Sequence, residues 1–281
     1  MAHRVVALLG RGVVPADTPI LRADDLGVLR GDGVFETLHV RNGRPWLFDE
    51  HLARMARSAA RLDMALPPAV ELAGLAAQAC AAWPATREGA LRLVCTRGVE
   101  GGDAVTFFAT LGPVGAAQLR GRRQGVAVAT ASLGYAANAR SAAPWLLGGV
   151  KSLSYAVNMS SQRWAAAQGL DDLLWISSDG WALEAPTSTL VWLDGDELCT
   201  VPAEPTGILP GCTAQWLLDH VAALGWRPAR RMVRPADLTG FDGAWLTSSV
   251  RGLAELRAID GVPLPASPHT ARIRELLGFP G

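Results

Sequence analysis

Gly148-Gly149-Val150-Lys151-Ser152-Leu153-Ser154-Tyr155-Ala156-Val157-Asn158 holds the only lysine in this chain of 281 residues; 25 of its 26 lysine and arginine residues are arginine. Charge alone does not account for Lys151, because arginine supplies positive charge everywhere else. An amine can lose its proton, attack a carbonyl and form a Schiff base, whereas a guanidinium, with a pKa above about 12, cannot. Composition leaves two readings open, a surviving charge or a reactive amine, and the surroundings must decide between them. Gly148 and Gly149 let the backbone approach a bound group closely. Trp145 is placed to wall a pocket, and a helix is predicted to begin just after the lysine.

Outward from this segment, composition narrows the class of protein. Hydrophobic residues make up 49% and charged residues 19%, enough apolar material for a real core and too little charge for disorder. The 26 basic and 26 acidic residues cancel, which gives no electrostatic case for a nucleic-acid or membrane partner. Met1 to Leu9 is short and broken by His3 and Arg4, unlike a secretory leader, and no apolar run reaches the roughly 20 residues of a membrane span. Cys80, Cys95, Cys199 and Cys212 are scattered without a CxxC, and His3, His39, His51, His220 and His269 show no metal-ligand spacing. No metal site or disulfide framework is expected, and a reduced, cytoplasmic location fits.

Strand and helix signals alternate in both halves. Arg4 to Val14 reads as a strand pair broken at Gly10 and Gly12, Gly31-Asp32-Gly33 as a turn, and Val34 to Val40 as a strand. Asn42-Gly43 is a hairpin signal before Pro45 to Phe48. Asp49 is placed to cap a helix to about Leu62, striped by Leu52, Met55, Ala59 and Leu62. A helix over Ala69 to Trp83 and strands over Leu91 to Thr96 and Val105 to Leu111 follow. Gly112 to Gly125 then carries Pro113 and a polar, basic stretch. The expected organisation is an N-terminal α/β domain over 1–115, a linker over 116–125 and a C-terminal domain over 126–281. The second half predicts a strand at Val126 to Ala131, a helix from Tyr155 to Gln168 and a strand at Asp172 to Ser177. A hairpin around Asp194-Gly195, a helix from Thr213 to Leu224, strands at Ala244 to Thr247 and Leu256 to Ile259, and a helix from Thr270 to Leu277 complete it. The fold class is a two-domain α+β or α/β protein.

Four further places could carry chemistry. Glu184 sits in apolar surroundings, Trp181-Ala182-Leu183-Glu184-Ala185-Pro186, where a carboxylate calls for a partner unless it simply ends a strand in solvent. Thr206-Gly207-Ile208-Leu209-Pro210-Gly211-Cys212-Thr213 feeds a helix that Thr213 could cap, and the first-turn N–H groups make a phosphate seat. Thr247-Ser248-Ser249 ends a strand in three hydroxyls. Arg54 shares a helix face with Arg57 and Arg61, either as a solvated basic stripe or as a guanidinium turned inward to grip a phosphate. A serine-hydrolase elbow, a Walker loop and a dinucleotide GxGxxG are absent.

An amine, a carboxylate, an arginine and a helix-end anion seat together match what pyridoxal phosphate requires. Their order resembles the class IV aminotransferases, the fold type IV pyridoxal phosphate enzymes. The matching segments are Gly31-Asp32-Gly33-Val34-Phe35-Glu36-Thr37, Glu50-His51-Leu52-Ala53-Arg54-Met55, Lys151 to Asn158, Glu184 to Thr189, Gly207 to Thr213, and Thr247 to Ser249. The resemblance implies a small α/β N-terminal domain, a larger barrel-like C-terminal domain that binds the cofactor, and a homodimer. It implies that Lys151 bonds to the cofactor and moves protons, and that Glu184 pairs with the pyridine nitrogen. By the same resemblance, Arg54, Cys212, Thr213, Ser248 and Ser249 hold the phosphate, and Tyr155 lies near the phenolic oxygen. Phe35 and Thr37 share a strand face by period two, where the family places substrate-facing residues.

Within that family the Arg-x-His carboxylate trap of the D-amino acid aminotransferases, which follows a Thr-Arg-Gly, is missing: Thr96-Arg97-Gly98 continues Val99-Glu100-Gly101-Gly102-Asp103. The arginine that lyases often carry in this loop is missing too. Lys151-Ser152-Leu153-Ser154-Tyr155 looks closer to the lyase pattern, and the length suits it. The resemblance therefore implies a 4-amino-4-deoxychorismate lyase, releasing pyruvate and 4-aminobenzoate for folate precursor synthesis, with Arg97 a candidate partner for a substrate carboxylate. The alternatives are an aminotransferase acting on D-amino or branched-chain amino acids, and a non-catalytic protein of the same fold.

Overall fold

A computed structural model describes residues 4–279; Met1 to His3, the head of the N-terminal stretch read above, and Pro280-Gly281 lie outside the described residues. The chain divides into two compact units, Met1–Gly115 with Val150–Tyr155, and Ala116–Gly149 with Ala156–Gly281.

The first unit contains β1 (Val5–Leu8), β2 (Gly12–Val14), α1 (Leu26–Leu29), β3 (Gly33–Arg41), β4 (Arg44–Pro45), α2 (Phe48–Ala60), α3 (Ala69–Ala81), β5 (Gly89–Thr96) and β6 (Thr106–Gly112). The strands form an antiparallel sheet ordered β2-β1-β6-β5-β3-β4. Alternation along β3 sends Val34, Glu36 and Leu38 into the interior and leaves Phe35 and Thr37 half-buried on the opposite face. Met55 and Ala59 of α2, with Leu72, Leu75, Ala76 and Ala79 of α3, join Leu38, Leu91, Leu93, Ala109 and Leu111 in one core. Asp49 does not cap α2. The helix starts two residues earlier than that cap would place it, after Leu47 in the left-handed conformation at φ 56°, because the chain must reverse sharply from β4 into the helix. Asp49 and Glu50 instead lie in the first turn, where their charge suits the helix dipole.

The stretch 150–155 belongs to this first unit although its neighbours in sequence do not. Phe35 N–H donates to the Lys151 carbonyl (3.1 Å) and Leu153 N–H to the Gly33 carbonyl (2.8 Å), so residues 151–153 extend the sheet beside the start of β3. Gly33 is required by this approach: a Cβ there would lie 2.6 Å from Leu153 Cδ1 and 2.5 Å from the Cys95 carbonyl oxygen.

The second unit contains α4 (Ala116–Gln124), β7 (Val126–Ser132), α5 (Ala139–Ala142), α6 (Ala156–Ala167), β8 (Asp172–Ile176), β9 (Thr189–Asp194), β10 (Glu197–Thr200), α7 (Ala203–Thr206), α8 (Cys212–His220), β11 (Arg227–Arg230), β12 (Gly243–Ser248), β13 (Gly252–Ile259), β14 (Val262–Pro263) and α9 (Thr270–Leu277). Its mixed sheet runs β11-β10-β9-β12-β13-β7-β8, with β14 paired to β13. Leu174, Leu190, Trp192, Leu246, Ala254 and Leu256 lie in its core. The stretch 116–125, expected as a linker, is mostly the helix α4. Its arginines gave it a polar look, but Arg122 is buried and bonds to main-chain carbonyls. β11 pairs parallel to β10, which its proline and two arginines concealed. No helix of the described residues is long and apolar enough to cross a membrane. Among the described residues there is also no cluster of three His, Cys, Asp or Glu side chains able to hold a metal.

Candidate active site

In the first unit, α2 and β3 organise the site. Lys151 Nζ lies 4.4 Å from the centroid of the Phe35 ring and 5.3 Å from that of Tyr155. The two rings meet edge to face at 5.0 Å. The amine is therefore held against aromatic faces, a contact worth about 0.5–2 kcal/mol to its charged form. The main-chain N–H of Lys151 donates to Ser58 Oγ on α2 (3.1 Å), so the backbone at Lys151 is fixed from two sides.

One turn before Ser58, Arg54 points inward while Arg57 and Arg61 face solvent. Arg54 Nε and Nη2 each donate to Glu36 at 2.7 Å, one to each carboxylate oxygen, and His51 Nδ1 donates to the same carboxylate at 2.6 Å. All three side chains are buried. Burial by itself would raise the Glu36 carboxyl, but the charge and hydrogen bonds of Arg54 and the bond from His51 outweigh it and hold the group well below the usual carboxylate range. Burial pushes His51 down from its ordinary 6.5, opposed by Glu36 and reinforced by the charges of Arg54 and Lys151.

These two shifts make the first unit acid-sensitive. Below about pH 6.5 the unfolded chain protonates His51 while the folded one resists, so the unfolded state binds more protons and stability falls with pH. The contribution of Glu36 is complete above its unfolded value of 4.5 and is lost as pH falls below that toward its folded value. Denaturant midpoints measured from pH 8 to 3 should decline in two stages. His51→Gln should remove the upper stage and keep the lower one; a wild-type midpoint that stays flat between pH 7 and 5 would contradict this.

Arg97 is occupied within the fold. Nε and Nη2 donate to Asp32 at 2.6 and 3.3 Å, Nη2 also to the Leu62 carbonyl (2.6 Å), and Nη1 to the Asp63 carbonyl (3.3 Å). It ties the Gly31-Asp32-Gly33 turn to the end of α2. Sequence reasoning missed Arg92. It lies directly opposite Thr37 in the β3–β5 register, on the face that carries Phe35, is exposed, and makes no hydrogen bond or ion pair among the described residues. The signal was available, because pairing β3 with β5 by their alternation would have placed it there.

In the second unit, Glu184 is buried and its two carboxylate oxygens accept from the Leu209 N–H at 3.3 and 3.2 Å. Arg140 Nη1 lies 3.6 Å from Glu184 Oε1. Arg140 in turn bonds to the Tyr135 hydroxyl, which burial pushes above its ordinary value. Arg140 can approach because Gly148 and Gly207 make room; a Cβ on Gly207 would sit 2.7 Å from that of Arg140. Glu184 is thus no solvent-facing strand end but a carboxylate held by a cation and a peptide N–H. Trp145, expected to wall a pocket, is 79% exposed.

α8 begins at Cys212 after Gly211, which supplies no side-chain cap. Thr213 does not cap the helix; it lies in the first turn, buried, and its Oγ1 has no partner among the described residues. The Oγ of Ser188 is buried in the same condition. Gly211 is forced by Thr189, whose Oγ1 would lie 2.2 Å from any Cβ there. Ser248 ends β12 and Ser249 opens the turn that follows; β12 pairs Thr247 with Thr189. An orphaned hydroxyl at an uncapped helix N-terminus is what an anionic group would satisfy, so these residues fit the phosphate of pyridoxal phosphate.

Comparison with known proteins identifies the family. The family model for amino-transferase class IV matches residues 33–259. The bifunctional aminodeoxychorismate lyase / D-amino acid transaminase of Mycobacterium tuberculosis is 41% identical, covering 97% of this chain and 97% of its own. The PLP-bound form of a hypothetical aminotransferase from Mycobacterium tuberculosis superposes with a TM-score of 0.93 at 40% identity, over 98% of this chain and 97% of that one. The 4-amino-4-deoxychorismate lyase of Pseudomonas aeruginosa gives 0.79 at 27% identity, over 97% of each chain. Family match, near full-length similarity and fold together place the chain among the class IV aminotransferases, as a pyridoxal phosphate-dependent enzyme of fold type IV.

Proposed function

We propose that this enzyme is a 4-amino-4-deoxychorismate lyase, forming 4-aminobenzoate, a folate precursor, and pyruvate. The observation that carries the reading is one face of the first unit's sheet. It sets the Lys151 amine against the Phe35 and Tyr155 rings and leaves Arg92, beside Thr37, uncommitted. A ring that bears an amine and carboxylates matches that set: the amine for exchange at the cofactor, the ring for Phe35, a carboxylate for the guanidinium of Arg92. The 41% identity to a protein named as both lyase and D-amino acid transaminase supports the reading and favours D-amino acid transamination as a second activity.

Bound pyridoxal phosphate supplies an electron sink for the carbon that loses its proton. Lys151 takes that proton from the amine-bearing ring carbon and returns it to the methylene carbon of the departing enolpyruvyl group, so that pyruvate leaves as the ring becomes aromatic. Glu184, held by Arg140 and the Leu209 N–H, would pair with the pyridine nitrogen. Arg54, Cys212, Thr213, Ser248 and Ser249 would hold the phosphate, and Tyr155 would steady the phenolic oxygen. Phe35 and Thr37 line the substrate side.

Purified enzyme given 4-amino-4-deoxychorismate alone should release pyruvate with no keto-acid acceptor. Turnover that requires an amino donor and a keto acid would leave only the transaminase reading. Arg92→Leu should raise KM for the lyase substrate by about tenfold or more, as the loss of a charge-assisted bond requires, with kcat changed far less. An unchanged KM would remove Arg92 from the substrate site.

A further inference from the structure

The hairpin loop between β12 and β13 is clamped from behind by arginines. Arg122 of α4, 3% exposed, donates through Nη2 to the Val250 carbonyl (2.8 Å) and through Nε to the Arg251 carbonyl (3.1 Å). The Val250 carbonyl belongs to the same peptide group as the Arg251 N–H, and that N–H donates to Ser248 Oγ (3.4 Å). One peptide plane therefore connects the Arg122 guanidinium to the Ser248 hydroxyl. A hydroxyl that accepts this N–H keeps its own proton to donate elsewhere. Arg251 is anchored in turn by Asp172 at 2.8 Å, with both side chains buried.

The end of the chain closes the arrangement. The Phe279 ring lies 5.0 Å from Arg122 Cζ, and it packs so tightly on Gly252, where φ is +74°, that a Cβ there would come within 2.9 Å of its carbons. Phe279 therefore touches both the arginine that holds the loop and the glycine that ends it.

We propose that Arg122 is a positioning residue for the cofactor phosphate. It fixes the 250–251 peptide so that Ser248 presents its hydroxyl as a donor, and Phe279 holds Arg122 in place. This rests on the assignment of Ser248 to the phosphate. A cation behind a peptide group also polarises it, which strengthens the bond that the N–H makes to the serine.

The test compares affinity for pyridoxal phosphate with affinity for pyridoxal, which lacks the phosphate, using titrations of the apoenzyme followed by cofactor absorbance. In Arg122→Met the affinity for pyridoxal phosphate should fall about tenfold, the scale of one lost charge-assisted bond, while that for pyridoxal stays within about twofold. Arg122→Lys, which can keep one carbonyl bond, should fall between, and Phe279→Ala should move the ratio the same way by a smaller factor. The phosphorus resonance of bound cofactor should shift in the same variants. Ser248→Ala is the control on the underlying assignment. If it lowers the ratio while Arg122→Lys and Phe279→Ala do not, or if those two weaken both ligands equally, the positioning role is overturned. If Ser248→Ala leaves the ratio unchanged, the phosphate assignment itself fails.

Discussion

Lys151→Arg keeps the positive charge and should lose turnover by on the order of 10³-fold or more, because the guanidinium can neither bond to the cofactor aldehyde nor give and take a proton near neutral pH. The variant should also fail to retain cofactor covalently. Borohydride treatment of the wild type should add the mass of reduced cofactor to the intact chain, and the same treatment of Lys151→Arg should add nothing. The charge control is built in: Phe35 and Tyr155 can stack on a guanidinium as on an ammonium, so folding and the cradle should survive. Wild-type turnover in this variant would show that the amine is not needed.

Arg54→Met should be the most damaging substitution for the first unit. It leaves the Glu36 carboxylate buried with only His51 as partner, a loss of about 3–5 kcal/mol for a broken buried pair. The double variant Glu36→Leu/Arg54→Met removes both charges, and a buried pair replaced by apolar groups is often near neutral in stability. Denaturant melts of the apo forms should therefore place the double variant above the single one. Cofactor affinity should not follow, since neither variant offers a guanidinium to the phosphate. A double variant that binds pyridoxal phosphate like the wild type would limit Arg54 to a structural role.

Much of the candidate site was legible in the sequence because it rests on local signals: one lysine among arginines, a carboxylate in apolar surroundings, a Gly-Pro-Gly turn into a helix. The inward turn of Arg54 could not be told from a basic stripe, because helical spacing alone does not say which arginine meets Glu36 across the core. Arg97 and Arg92 differ in how far the sequence could place them, for a related reason. Arg97 lay in a recognisable Thr-Arg-Gly segment, yet Asp32 and two carbonyls occupy it. Arg92 lay in no motif and is placed only by strand register. Arg140 and Tyr135 were invisible as partners of Glu184 because long-range packing, enabled by Gly148 and Gly207, brings them there.

The stretch Val150–Tyr155 has a consequence for biosynthesis. β3 is paired from Gly33 to Val40 by β5, but its other edge meets β4 and Trp46 at His39 to Arg41, and at Gly33 to Phe35 it depends on residues 151–153. A ribosome delivering this chain from its N-terminus exposes that edge throughout the synthesis of Ala116–Gly149, as an open strand able to pair with other nascent chains. The nascent unit is completed by the same few residues that deliver the lysine. A fragment ending at Gly115 would lack both its amine and its edge cover, so cutting the gene at the boundary between units should yield an aggregation-prone product rather than a soluble half-enzyme.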